Sequence, residues 1–96
     1  MIKHIVCFKL LEGESAAKAR EVLEGMRGKV PQIIEMETGT DFLHSARSYD
    51  VFLSVTVKDE TALSEYQNDP YHVNVVKKYM HAATKSSVAV DFETEK

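Results

Sequence analysis

Apolar and polar positions alternate most regularly in two segments of this chain. Tyr49, Val51, Leu53, Val55 and Val57 form one face of a segment whose other face is Asp50, Phe52, Ser54 and Thr56, the period of a half-buried strand. Ile2, His4, Val6, Phe8 and Leu10 share a face in the same way, with Lys3, Ile5, Cys7 and Lys9 behind them. His4 therefore points with Val6 and Phe8 into apolar company. Two further strands are predicted. Over residues 33–42, Ile34 and Met36 alternate with Glu35 and Glu37, and Gly39 suggests a bulge or a close approach. Over residues 86–92, Val88, Val90 and Phe92 share one face.

Between these strands the period changes to that of a helix. Ser15 is placed to cap a helix on which Ala16, Ala19, Leu23 and Met26 recur, with Lys18, Arg20, Glu21 and Glu24 outside. Gly25 weakens this helix late, and Gly28 is its expected left-handed terminator, with Pro31 following. Residues 43–48 read as a polar loop carrying His44 and Arg47. Asp59 caps a short helix with Glu60 at its positive end and Ala62, Leu63 and Tyr66 on its buried side. Asn68-Asp69-Pro70 stops that helix and starts another, with Asp69 as cap and Pro70 at the first helical position. On the new helix His72, Val76, Tyr79 and Ala83 form one stripe, with Val73, Lys77 and Met80 beside it. The tail from Glu93 to Lys96 is polar and is expected to fray.

The order strand, helix, strand, strand, helix, strand is the split βαβ pattern of a ferredoxin-like α+β sandwich. It predicts a four-stranded antiparallel sheet with the first and third strands in the middle and both helices on one face. The other face carries Ile5, Cys7 and Phe52 with no helix left to cover them. A second copy is the expected cover, giving a homodimer whose two sheets pack face to face.

Composition narrows the function. The 96 residues are expected to form one domain, 1–96, with an ordinary core. A net charge of −3, mixed along the chain, argues against nucleic acid or an anionic membrane as partner. No apolar run is long enough to cross a bilayer. The N-terminus enters a strand pattern directly, without the layout of a signal peptide. The single cysteine, Cys7, rules out an internal disulfide and suits a reducing cytoplasm. No phosphate loop, zinc spacing, serine elbow or calcium loop is present, so no cofactor or metal is expected.

Two stretches carry a resemblance. His4-Ile5-Val6-Cys7-Phe8-Lys9 resembles the opening of the stress-responsive A/B barrel (Dabb) family. Residues 49–55 followed by Leu63 to Val73, with Tyr66, Pro70 and His72, look like that family's third strand and proline turn. The resemblance spans nearly the whole chain and implies a dimeric α+β barrel. The family it implies includes proteins without an assigned reaction, stress-induced plant oligomers, and polyketide cyclases that close rings by aldol chemistry without a cofactor. In those cyclases a histidine on the first strand and a tyrosine and histidine around the proline turn line the pocket, matching His4, Tyr66 and His72. Val51 stands where they carry a further histidine.

His4, His72 and Tyr66 are therefore the candidate catalytic residues. The positive end of a helix disfavours imidazolium, so His72 is expected to be neutral near pH 7 and competent as a general base. A cavity between the three would suit proton abstraction next to a carbonyl, with enolate stabilisation by the tyrosine or a neutral histidine. The alternative is structural: half-buried histidines that steady a turn and a tyrosine that fills the core. His44 and His81 are expected on the surface, Asp50 and Asp91 as polar strand residues, and Ile5, Cys7 and Phe52 at the dimer interface. Three functions compete on this basis: a pocket for an unidentified small molecule, a non-catalytic dimeric module, and a cofactor-free cyclase or monooxygenase for carbonyl or aromatic substrates.

Overall fold

The two most regular alternations become the two central strands. In the computed structural model, which describes residues 1–95, the elements are β1 (Ile2–Leu10), α1 (Ala16–Glu24), β2 (Glu35–Thr40), β3 (Val51–Val57), α2 (Glu60–Asn68), α3 (Lys78–Ala83) and β4 (Thr84–Glu93). A π-helical segment, His72–Lys77, runs directly into α3. The sheet order is β2-β3-β1-β4, antiparallel throughout, as the order of elements predicts.

Ser15 caps α1, its hydroxyl accepting the Lys18 N–H at 3.1 Å, and Asp59 caps α2 through the Ala62 N–H at 2.8 Å. Asp69 accepts the N–H groups of Tyr71 and His72 at 2.9 and 3.3 Å, which starts the third helical stretch at the proline turn. The core lies between the helices and one face of the sheet. Leu23 and Met26, Val55 and Val57, and Tyr66 and Val76 are fully buried there.

Several boundaries differ from expectation. α1 ends at Glu24 with Gly25 as its C-cap, four residues before Gly28, whose φ of +74° serves the following turn. Met26 is buried from that turn rather than from the helix. β2 stops at Thr40, and Phe42 is 90% exposed beyond it. Tyr49 precedes β3. Gly39 sits in regular register opposite Phe52, with open space where a side chain would be, so it is neither a bulge nor a close approach. The irregularity lies between Lys9 and Leu10, where the pairing with β4 shifts. Asp50 receives the Leu10 N–H there at 2.8 Å. The C-terminal end is tied down: β4 runs through Glu93, and the Thr94 N–H donates to the Met1 carbonyl at 2.8 Å. Lys96, the end of the expected frayed tail, lies outside the described residues.

The register sorts the strands into two faces. Cys7 pairs with Phe52 on one side and Val88 on the other, and Ile5 with Ser54 and Val90. Because cross-strand partners share a face, Ile5, Cys7, Phe52, Val88, Val90 and Phe92 lie together on the face away from the helices. Val90 is 59% exposed and Val88 49%.

Candidate functional site

His4 lies on β1 with its side chain on the helix face, and only 12% of it is exposed. Its cross-strand partner on β4 is Asp91. Strand pairing therefore sets His4 Nδ1 2.5 Å from Asp91 Oδ1. A carboxylate oxygen accepts, so Nδ1 carries the proton and Nε2 is left with its lone pair while the ring is neutral. A histidine oriented in this way by a carboxylate is a recurrent device for fixing tautomer and ring direction.

His72 opens the π-helical segment. Its Nδ1 faces the Gln67 carbonyl at 3.3 Å. A carbonyl only accepts, so here too the proton sits on Nδ1 and Nε2 is the basic nitrogen. Burial lowers the pKa of His72 below its ordinary value; the Gln67 carbonyl and Asp69 oppose this, and the charges of Lys77 and His4 add to it. The expectation of a neutral ring rests on the helix terminus; in the structure burial is what lowers the pKa most.

Tyr66 stands between the two histidines. Its ring centroid is 4.5 Å from that of His72 and 5.9 Å from that of His4, the latter edge-on. Tyr66 is fully buried, and its hydroxyl donates to Met26 Sδ at 3.9 Å. Burial pushes the phenol well above its ordinary pKa. The aromatic face, and not the hydroxyl, is thus the part of Tyr66 that meets the histidines.

His4, Tyr66 and His72 all border one cavity of about 440 Å³ between sheet and helices. That volume falls in the range of about 300–1,000 Å³ typical of small-molecule sites. Val6, Phe8 and Leu53 line it from the sheet, and Val76 and Met80 from the helical side. Toward the start of β4 the lining turns polar, with Lys77, His81, Thr84 and Lys85. His81 is exposed, as expected, but it also borders this cavity. His44 sits in the β2–β3 loop, exposed, with φ +53° and its N–H on Asp41 Oδ2 at 2.7 Å. Cys7 and Phe52 lie on the opposite face of the sheet, away from the cavity.

Asp91 is the residue that sequence reading missed. Alternation separates it from Val90 and Phe92, but pairing it with His4 requires the β1–β4 register. Lys77 and Lys85 carry no local signal. Among the described residues no group of three or more histidine, cysteine, aspartate or glutamate side chains could hold a metal ion, and no helix is long and apolar enough to cross a membrane.

The family model described as Stress Responsive A/B Barrel Domain (Dabb) matches residues 2–94. No curated protein matches the sequence. Among solved structures, a dimeric ferredoxin-like protein of unknown function from Thermobifida fusca superposes with a TM-score of 0.84 at 21% identity, over 97% of this chain and 90% of that one. A dimeric protein of unknown function and ferredoxin-like fold from Bacteroides fragilis gives 0.82 at 23% identity, over 97% and 95%. The hydroxynitrile lyase of Passiflora edulis gives 0.80 at 16% identity, over 99% and 94%. At these identities the likeness establishes a common fold.

Proposed function

This chain belongs to the stress-responsive A/B barrel domain family, and from that premise we propose that it forms a homodimer whose protomers each hold a small organic molecule in the cavity between sheet and helices. The observation that carries the reading is the pairing of two histidines across one cavity. Each has its Nδ1 occupied by an acceptor, and each keeps Nε2 for a ligand. A neutral His72 would act as acceptor or general base. His4, steered by Asp91, would hold or return a proton on the other side. Such a pair suits proton transfer next to a carbonyl without a cofactor, and the reaction itself is unassigned. Tyr66 enters this reading as the wall that spaces the two rings.

The dimer reading is supported by the exposed apolar face of the sheet, formed by Ile5, Cys7, Phe52, Val88, Val90 and Phe92, and by the dimeric state of the neighbours from T. fusca and B. fragilis. A neighbour that is an enzyme, the Passiflora lyase, supports treating the fold as one able to host catalysis.

A second reading is favoured by the Tyr66 hydroxyl, which is spent on Met26 in the core. On that reading the protein is a non-catalytic dimeric module and the histidines steady the proline turn. Ring-carbon NMR signals of His4 and His72, followed through a screen of small carbonyl and aromatic compounds, separate the two. Ligand-dependent shifts that vanish in His4→Ala and His72→Ala, with the fold retained, support the pocket. If the two variants change only stability and no compound moves either ring, the module reading replaces it.

A further inference from the structure

The chain carries 15 aspartates and glutamates against 12 lysines and arginines, so acidic side chains should outnumber basic ones along an arbitrary surface. The cavity reverses this. Lys77 and Lys85 border it together with His81, and no aspartate or glutamate does. Asp91 lies behind His4 and is committed to it. The charge of Lys77 is close enough to bear on the His72 ring.

Two further features sit at the same end. Thr84 lines the cavity, and its hydroxyl is buried without a hydrogen-bond partner. A buried hydroxyl left unpaired is costly, and an acceptor brought by a ligand would relieve it. The carbonyl of Ala83, at the C-terminal end of α3, would ordinarily repel an anion. Here it accepts the Leu11 N–H at 2.9 Å. Complementing that helix end would explain a basic residue at 81 or 85, but not Lys77, which stands in the preceding π-helical segment.

From this arrangement we propose that the cavity selects small carboxylates with an apolar body, the charged end held by Lys77, Lys85 and the Thr84 hydroxyl, the body against Val6, Phe8 and Leu53. The inference rests on reading the cavity as a ligand site and adds the class of ligand. The geometry then orders the ligand lengthwise: its anionic end lies at the start of β4 and its apolar part runs along β1 toward the two histidines.

The test uses the full chain and matched probes that differ only in charge: octanoate against octanamide, and 3-phenylpropanoate against 3-phenylpropanamide. Binding is followed by histidine ring signals and by calorimetry. The expected result is that each acid binds at least about tenfold more tightly than its amide, as charge-assisted hydrogen bonds are worth that much. Raising the salt concentration should weaken the acids alone. In Lys77→Gln/Lys85→Gln the preference should disappear, with acid binding falling about tenfold or more, to the level of the amide. Equal binding of acids and amides, or tighter binding of amides, overturns the carboxylate assignment and leaves the ligand site standing. If no probe binds and no histidine signal moves up to millimolar concentration, the ligand site falls and the assignment with it. The acid-to-amide comparison needs no variant, so it decides even if the double substitution proves unstable.

Discussion

His72 shows how the surroundings of one ring set its chemistry. Burial depresses its pKa in the folded chain below 6.5, so between those two values the unfolded chain binds more protons. The stability His72 contributes is therefore complete above pH 6.5 and is lost as the pH falls through the folded pKa. The ring should titrate below the ordinary histidine value by NMR, and His72→Gln should flatten the loss of stability with acid in that window. Asp91 governs the other ring. Asp91→Leu should release His4 from the Nδ1–H tautomer, read from its ring nitrogen shifts. Because the pair is partly exposed, the stability cost should be about 1 kcal/mol or less. A fixed tautomer in Asp91→Leu would remove the carboxylate from any account of the site.

At the scale of elements, the junction that places His72 is held from α1. A Cβ built on Gly25, the C-cap of α1, would lie 2.8 Å from Tyr71 Oη and 3.1 Å from the Val22 carbonyl. The Tyr71 ring is itself half-buried, with the Lys29 ammonium 5.4 Å from its centroid. Gly25→Ala should therefore destabilise the protein by about 1–3 kcal/mol, the usual cost of overpacking. Tyr71→Phe, which removes the obstructing hydroxyl, should recover much of that loss in the double variant. Thermal or urea denaturation of the four proteins checks both statements, and an additive double variant would mean that the two groups do not meet. The π-helical segment that follows is a rare form often found at functional sites. Beyond it Val76, Met80 and Ala83, at the i, i+4, i+7 spacing of a regular helix, are buried while Tyr79 is only half-buried, so Met80 and not Tyr79 completes the core stripe.

At the scale of the molecule, one face of the sheet is covered by helices and the other is not. Val88, Val90 and Phe92 of β4 join Ile5, Cys7 and Phe52 on the uncovered face, a contiguous apolar surface of the kind that marks an interface. Phe52→Glu puts a charge on this face, opposite Cys7 and Gly39. Sedimentation at micromolar concentration should find the native chain dimeric and the variant monomeric or unfolded. A native monomer, or a variant that remains a dimer, would move the interface elsewhere.

The strands, the caps at Ser15, Asp59 and Asp69 and the order of elements were legible because each depends on residues that are neighbours along the chain. Period and capping chemistry are local, and the order restricts the topology to very few arrangements. The inward-facing positions of His4 on its strand and Tyr66 on its helix followed from the same periodicity. Ile33, Phe42 and Tyr49, the expected strand ends, lie outside the observed strands, since an apolar side chain continues the pattern whether or not a partner strand reaches it. Only the tertiary structure decided what the site is made of. Asp91 meets His4 across 87 residues of sequence through the β1–β4 register, and register is set by turns and packing rather than by either strand alone. The Tyr66 hydroxyl turned toward Met26, and Lys77 and Lys85 came to border one cavity, for the same reason: the direction of a buried side chain is chosen by partners brought in from distant parts of the chain.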